Sequence, residues 1–322
     1  MGRSGALRYG DRAAWPRRAA GALAVLWRFS RPHTVIGTTL SILGLYVIAA
    51  TQLPGAAVGE GLGDLAFVLL AGFCVNVSIV GVNQLTDVEI DRINKPFLPI
   101  AAGELSFAGA RRIVVACTVI PLALALTQGL EETVAVAAGL LVGAAYSLPP
   151  LRLKRFPALA SLSITLVRSV VVNLGVALHF SKALAGGAAA GTVPGPVWAL
   201  TLFVLPFSFA IAILKDVPDL EGDRAFRIRT LTVRLGGRRV LGIGLAALTL
   251  AYLGMAVLGP LLLSGVQPVV LAVGHLLALA VLWAWARRVD VADRADFTRF
   301  YMRVWTLFFL EYPLVALACV AG

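Results

Sequence analysis

Asn83, Asp87 and Asp91 stand at i, i+4 and i+8. Asp219 and Asp223 repeat the i, i+4 step, with Asp216 three residues ahead. On a helix, residues four apart share a face. Like charges so placed destabilise a helix by about 0.2–0.5 kcal/mol per pair, so they make better sense when a cation joins them. Carboxylate and amide oxygens are hard ligands suited to Mg²⁺, and no soft ligands lie beside them. Mg²⁺ uses one or two carboxylates, several waters and substrate phosphates. Two such clusters facing each other at a membrane-embedded mouth would hold a pyrophosphate through bridging metals. Pro218 disfavours a regular helix around Asp216 and predicts a bend there.

The pattern D-[VL]-E-x-D-R occurs at 87–92 and again at 219–224, each time at the inner end of an apolar run. Solvated interfacial charge would explain one such cluster. Two of the same form in matched positions argue for a shared task and for duplication of a four-helix unit, with candidate repeats 33–156 and 157–290. Basic groups stand beside the acids: Lys95, Lys215, Arg224 and Arg227 flank them, and Arg152, Lys154 and Arg155 end the stretch YSLPPLRLKR at 146–155. Singly, each reads as an anchor on the inner face; as a group they could neutralise a leaving diphosphate.

The elements that must position these groups are membrane spans. Of 322 residues, 59% are hydrophobic and 14% charged, with mean hydropathy +0.87, well outside the range of a soluble enzyme or a disordered chain. A helix needs about 20 mostly apolar residues to cross the hydrocarbon core. Spans are predicted near 33–51, 65–86, 108–128, 133–148, 157–180, 197–215, 236–258, 268–286 and 301–320. The expected fold class is an all-α polytopic membrane protein: nine transmembrane helices in a bundle around a central cavity, with the two Asp-rich motifs at its cytoplasmic mouth. Residues 1–32 read as a basic arm ending in an interfacial amphipathic helix at 16–31, and 33–322 as a single transmembrane domain.

The net charge of +11 is not spread evenly. Of the 28 Lys and Arg residues, 26 fall in the N-terminal arm and the loops after spans 2, 4, 6 and 8, or at the adjoining span ends. The alternate loops hold one base, Lys182, against four acids. The positive-inside rule therefore places the N-terminus in the cytoplasm and the C-terminus on the opposite side. Charge confined to one face marks a lipid bilayer, not nucleic acid, as the partner, and no protein partner is evident. The three cysteines and three histidines are scattered, which suggests neither a disulfide framework nor a zinc site. The arm lacks the apolar core and cleavage site of a secretory signal; a short organellar transit peptide is the alternative.

The stretches N-x-x-x-D-x-x-x-D at 83–91, D-x-x-D-x-x-x-D at 216–223 and YSLPPLRLK at 146–154 resemble the UbiA family of intramembrane aromatic prenyltransferases. SRPHTVIGTTLS (30–41), NQLTDVEIDRINKPFLPIAAGE (83–104) and KDVPDLEGD (215–223) are similar to its homogentisate phytyl/prenyltransferase branch. The resemblance implies Mg²⁺-dependent transfer of a prenyl group from its diphosphate to the ring of homogentisate, with decarboxylation, as in tocopherol and prenylquinone biosynthesis. Asn83, Asp87, Asp91, Asp216, Asp219 and Asp223 become metal–diphosphate ligands, with Asp87, Asp91, Asp219 and Asp223 the catalytic set. Lys95, Arg152, Lys154 and Lys215 become diphosphate contacts. The Ala- and Gly-rich background suggests a GC-rich bacterial genome and so a bacterial cell membrane, with a plastid or thylakoid membrane as the alternative. It also leaves open another aromatic acceptor, such as 4-hydroxybenzoate, dihydroxynaphthoate or a chlorophyllide-like ring. A secondary transporter is the rival from another class, and would carry its acids near the midplane.

Two charges fall within spans. Arg168 lies near the middle of span 5, where an Arg costs about 2.5–3.5 kcal/mol on insertion scales, so it must face the bundle interior. Two readings stand: an ion pair with Glu311 of span 9, or contact with the acceptor's carboxylate. Asn173 could line the same cavity or satisfy a neighbouring helix. His33 and Tyr146 complete the candidate acceptor contacts. The span 9 aromatics Phe300, Tyr301, Trp305, Phe308 and Phe309 are expected as an interfacial belt and packing surface.

Overall fold

A computed structural model describes residues 21–185, 190–226, 228 and 230–322. Within them the chain is helical: α1 (residues 21–29), α2 (Pro32–Gln52), α3 (Leu62–Thr86), α4 (Val88–Asn94), α5 (Phe107–Gln128), α6 (Leu130–Ser147), α7 (Pro157–Leu166), α8 (Val172–Leu184), α9 (Gly195–Leu214), α10 (Leu220–Ala225), α11 (Leu231–Leu235), α12 (Gly237–Leu262), α13 (Pro268–Ala286) and α14 (Arg294–Ala321). A π-turn, Val167–Val171, joins α7 to α8 as one span. Among the described residues nine helices are long and apolar enough to cross a membrane, and the chain is a multi-pass membrane protein. The first part of the expected 16–31 helix, and Arg227, lie outside the described residues.

Helix boundaries follow local chemistry. Proline opens α2, α7 and α13, where its missing N–H would have no intrahelical partner anyway. α14 begins at Arg294, not near 301, because the Asp293 carboxylate accepts from the N–H groups of Ala295 (2.8 Å) and Asp296 (3.2 Å) and so caps a polar first turn. The tightest packing surrounds α9, whose residues Leu200, Val204, Phe207, Ala210 and Leu214 are wholly buried against α12 and α14. α14 also closes onto α2. A Cβ built on Gly44 would stand 2.7 Å from that of Tyr312, so only glycine lets these two backbones approach so closely.

Helices α2, α3, α6 and the α7–α8 span instead leave a cavity of about 700 Å³ between them and the inner ends of α9 and α14. Away from the acidic motifs its walls are mostly apolar, with Val, Ile, Ala and Gly the commonest residues. The acidic motifs stand at one end of it.

Candidate active site

The helix face expected to carry Asn83, Asp87 and Asp91 is interrupted, at the end of the predicted span. α3 ends at Thr86, and Asp87 (φ −117°, ψ 19°) begins α4. The Thr86 hydroxyl donates to the Asn83 carbonyl at 3.0 Å, the acceptor that an unbroken helix would give to the Asp87 N–H. Asp219 (φ −90°, ψ 2°) likewise begins α10. Beyond each break the i, i+4 step is kept, since Asp91 N–H donates to Asp87 O (2.8 Å) and Asp223 N–H to Asp219 O (3.0 Å), and across the first break Asn83 Nδ2 donates to Asp87 Oδ2 at 3.0 Å. Asp216 lies in the turn after α9, the bend expected from Pro218. All six motif residues line the cavity mouth.

The two short helices pack on each other. Gly222 N–H donates to Asn94 Oδ1 at 3.1 Å, and Arg294 Nη2 donates to the Asn94 carbonyl at 2.5 Å. Asn94 thus ties α4, α10 and α14 together. Single-sequence reading missed it, because nothing local distinguishes it from any loop asparagine.

Charge at the mouth is unevenly matched. Lys154 Nζ donates to Asp87 Oδ1 (2.6 Å) and Thr86 Oγ1 (3.0 Å), and Arg152 reaches the same Asp87 oxygen at 3.4 Å. Lys95 of the first motif pairs with Asp219 of the second. Lys215 donates to Tyr146 Oη at 2.8 Å and lies 3.8 Å from Asp216. Arg31, missed at the sequence level, donates to Asn83 Oδ1 at 3.2 Å. Its place just ahead of Pro32, a helix-start signal, was the available clue.

Asp91 and Asp223, the last acid of each motif, are buried, and each has an Oδ2 with no hydrogen-bond partner. Burial pushes Asp91 up to about 6, against the pull of Arg31 and Lys95. It pushes Asp223 up to about 7, with Asp216 and Asp219 adding repulsion, and Asp216 up to about 6. An unpaired buried carboxylate is costly, and a cation removes the penalty. Among the described residues no three acidic or soft side chains converge on one point. That suits Mg²⁺, which takes one or two carboxylates per ion and completes its shell with water and phosphate oxygens. The donor set, two orphaned carboxylate oxygens among hard ligands, fits the ion.

Arg168 sits on the π-turn, an irregularity frequent at functional sites. It lines the cavity and does not pair with Glu311. Glu311 is buried against His275, Oε1 to Nε2 at 3.0 Å. The Arg168 guanidinium lies over Trp305 (4.8 Å to the centroid) and Phe308 (5.5 Å), with a buried Nη1 lacking a partner. The span 9 aromatics are therefore a packing surface, as expected, but not a belt: Phe300, Trp305 and Phe308 are buried, and Tyr301, Trp305 and Phe308 line the cavity. The rings turn inward because the helix face they occupy meets α2 and α9. His33 lines the cavity edge-on to Trp305 at 5.0 Å. Tyr146 also lines it, its hydroxyl committed to Lys215. Asn173 does not line it. Its Oδ1 accepts from Tyr312 Oη at 2.8 Å, so of its two readings the structure takes the neighbouring helix. Arg152 touches Asp87 but is outside the lining.

The UbiA prenyltransferase family matches residues 35–307. Homogentisate phytyltransferase of Synechocystis sp. is 47% identical over 297 residues, 92% of this chain and 96% of that protein. Homogentisate geranylgeranyltransferase of Triticum aestivum is 37% identical over 296 residues, 91% of this chain and 72% of that protein. A UbiA homolog from Archaeoglobus fulgidus, solved bound to GPP and Mg²⁺, has a TM-score of 0.63 at 17% identity, covering 91% of this chain and 99% of that chain; this likeness speaks to the fold. The chain belongs to the UbiA prenyltransferase family.

Proposed function

From that membership we propose that the chain transfers a C20 prenyl group, phytyl or geranylgeranyl, from its diphosphate to the ring of homogentisate, with loss of CO₂ from the carboxymethyl group. The observation that carries the reading is the pair of orphaned carboxylate oxygens, on Asp91 and Asp223, at the mouth of a cavity that also holds Arg168 with one guanidinium nitrogen lacking a hydrogen-bond partner. The names of the relatives, the first 47% identical over nearly its whole length, support the choice of substrates.

Asn83, Asp87, Asp91, Asp216, Asp219 and Asp223 would hold Mg²⁺ with the diphosphate. When bound, the metal supplies electrostatic stabilisation of charge on the departing diphosphate. Lys154, Lys95 and Lys215 line the same volume and oppose that charge directly, and Arg152 stands behind them on Asp87. Lys154 and Lys215 are fixed by hydrogen bonds to Thr86 and Tyr146, so they need little reorganisation as the C–O bond breaks. The bonding electrons leave with the diphosphate and an allylic cation remains. The apolar walls keep water from it. Tyr301, Trp305 and Phe308 line the cavity, and an aromatic ring there attracts a cation. The acceptor's carboxylate takes the open side of Arg168, which sets its ring across from the mouth. The ring carbon then bonds to the cation and loses its proton, while the carbon that loses CO₂ takes one up.

The basic face, and with it the mouth, lies in the cytoplasm, and the membrane is a bacterial cell membrane. The test is a matrix assay: membranes containing the protein, several prenyl diphosphates, and homogentisate, 4-hydroxybenzoate or dihydroxynaphthoate, with product mass measured. A product from homogentisate and a C20 donor, lighter by CO₂ than simple addition gives, is expected. Products from another acceptor alone would overturn the homogentisate reading.

A further inference from the structure

Asn76 puts an amide on the cavity wall in the middle of α3, where a polar group without a partner is costly. Gly72, Asn76, Ile79 and Asn83 line the cavity at i, i+4, i+7 and i+11, so Asn76 shares the face that carries the first acidic motif. It stands two helical turns from Asn83, about 10 Å deeper at 1.5 Å per residue. Its Nδ2 donates to Thr34 Oγ1 at 3.1 Å and to the Ser30 carbonyl at 3.3 Å. A carbonyl only accepts, so these bonds turn the NH₂ toward α2 and leave Oδ1 as the free end of the amide. Among the described residues nothing donates to Oδ1, and the half-buried side chain lines the cavity. A tie between α2 and α3 accounts for the NH₂ end of Asn76 and not for its oxygen.

We propose that Asn76 Oδ1 recognises the acceptor by accepting a hydrogen bond from one of its ring hydroxyls. The inference deepens the proposed function and rests on its reading of the cavity as the place where a phenolic acid meets the prenyl donor. A continuous band of cavity-lining side chains joins Asn76 to Arg168. The Arg168 guanidinium lies over Trp305, Trp305 meets His33 edge-on at 5.0 Å, Thr34 follows His33, and Thr34 holds Asn76. Homogentisate carries a carboxymethyl group and two hydroxyls on one ring. The band offers a cation for the carboxylate and a fixed amide oxygen for a phenolic O–H. The oxygen is oriented before the acceptor arrives, so little ordering is left for binding to impose. A ring without the hydroxyl would cover Oδ1 and give nothing back. A site built to bond a hydroxyl rejects such an analogue because its own polar atom is left unpaired.

Sequence reading passed over Asn76, although a signal was present. The stretch N-V-S-I-V-G-V-N at 76–83 sets two asparagines on one helical face inside an apolar span. That the first of them turns its NH₂ to α2, and its oxygen away from it, depends on a contact across 42 positions of chain, which no local pattern reports.

The test compares purified wild type, Asn76→Leu and Thr34→Val. It measures KM for homogentisate and for the prenyl diphosphate, and the inhibition constants of phenylacetate, 2-hydroxyphenylacetate and 3-hydroxyphenylacetate against homogentisate. Asn76→Leu should raise the KM for homogentisate, and the inhibition constant of at least one monohydroxy acid, by about fivefold to tenfold, the loss of one neutral hydrogen bond. The constant for phenylacetate, which has no ring hydroxyl, should not rise, and the KM for the prenyl diphosphate should stay within about twofold. Thr34→Val removes one anchor of the amide and leaves Oδ1 and the Ser30 carbonyl in place, so its acceptor constants should stay within about twofold of wild type. Asn76→Leu weakening phenylacetate as much as homogentisate, or weakening neither, overturns the proposal. So does Thr34→Val reproducing the whole loss, since the tie between helices would then be the cause. If wild type prenylates another phenol and not homogentisate, the homogentisate reading falls alone, and the same comparison on that phenol and its deoxy analogue decides the role of Asn76. Prenylation of no phenol at all overturns both.

Discussion

Asn94 and Gly222 hold the two acidic motifs in register: the Gly222 N–H donates to Asn94 Oδ1, and a Cβ on Gly222 would stand only 2.2 Å from that oxygen. The motifs D-V-E-I-D and D-L-E-G-D share all three acids and pair Val88 with Leu220, but Ile90 stands in the first where Gly222 stands in the second. The difference has a steric cause, since α10 presses its backbone onto the asparagine that ends α4.

Gly222→Ala should therefore push α4 from α10, separate Asp91 from Asp223 and lower prenyl transfer by about 10–100-fold, the range seen when groups supporting metal ligands are lost. Asn94→Ala leaves a buried N–H unsatisfied, at a cost of about 1–3 kcal/mol. Combined, the two changes relieve the clash that Gly222→Ala creates. The double variant should be more active than Gly222→Ala alone, a coupling that steady-state rates in a double-mutant cycle will detect. Strict additivity would count against the contact.

Asp91 and Asp223 carry a stability cost along with their proposed role. Each is a buried acid with an oxygen lacking a partner. Asp91→Asn and Asp223→Asn remove that charge, so in chelator both variants should melt at or above the wild-type temperature. Wild type should gain Tm when Mg²⁺ and a prenyl diphosphate are added, and the double variant should gain little. Prenyl transfer should vanish in both single variants and in wild type treated with chelator. Melting curves in detergent, with and without Mg²⁺, give the answer; full activity in either variant would sink the metal assignment.

Lys154 is held by two bonds, to Asp87 and Thr86, and faces the same cavity as the acids. Lys154→Met keeps the chain length but removes the charge. It should reduce kcat by about 10²–10³-fold, the loss expected when one preorganised donor to a developing anion is removed. Asp87 would keep Arg152, at 3.4 Å, and the amide of Asn83, at 3.0 Å. Lys154→Arg should recover part of the rate, because a guanidinium can serve the diphosphate but cannot reproduce the bond to Thr86 in the same position. A Met variant as active as the Arg variant would show that the charge is unimportant.

The spans and the two Asp motifs were legible because their signals are local. Hydrophobic length and alternating loop charge report on one segment at a time, and i, i+4 acids report on one helix face. What escaped depended on contacts between distant segments. Glu311 and Arg168 stood at similar depths, yet depth says nothing of azimuth: Glu311 turns to His275 on α13, while Arg168 turns to the cavity. Asn173 sits only five residues from Arg168, but it points to Tyr312 and away from the cavity. The break at Asp87 was hidden for a different reason, because Asn83 still meets Asp87 across it and Asp87 keeps its i, i+4 step to Asp91 beyond it.

Arg168 offers the sharpest separation of donor from acceptor. Its guanidinium is backed by Trp305 and Phe308, has a buried nitrogen free of protein partners, and opens on the cavity. A charge-assisted bond from it to the acceptor's carboxylate would contribute about 1.5–3 kcal/mol, or roughly 10–150-fold. Arg168→Met should therefore lower kcat/KM for homogentisate by that factor while leaving the KM for the prenyl diphosphate within about twofold. Met also removes a buried charge and fills similar volume, so the variant should fold at least as well as wild type. The decisive comparison uses an acceptor in which a methyl group replaces the carboxymethyl group. Wild type and Arg168→Met should prenylate it at similar rates, because nothing remains for the guanidinium to hold. If the variant loses as much on the methyl acceptor as on homogentisate, Arg168 shapes the cavity through its packing on Trp305 and does not read the carboxylate.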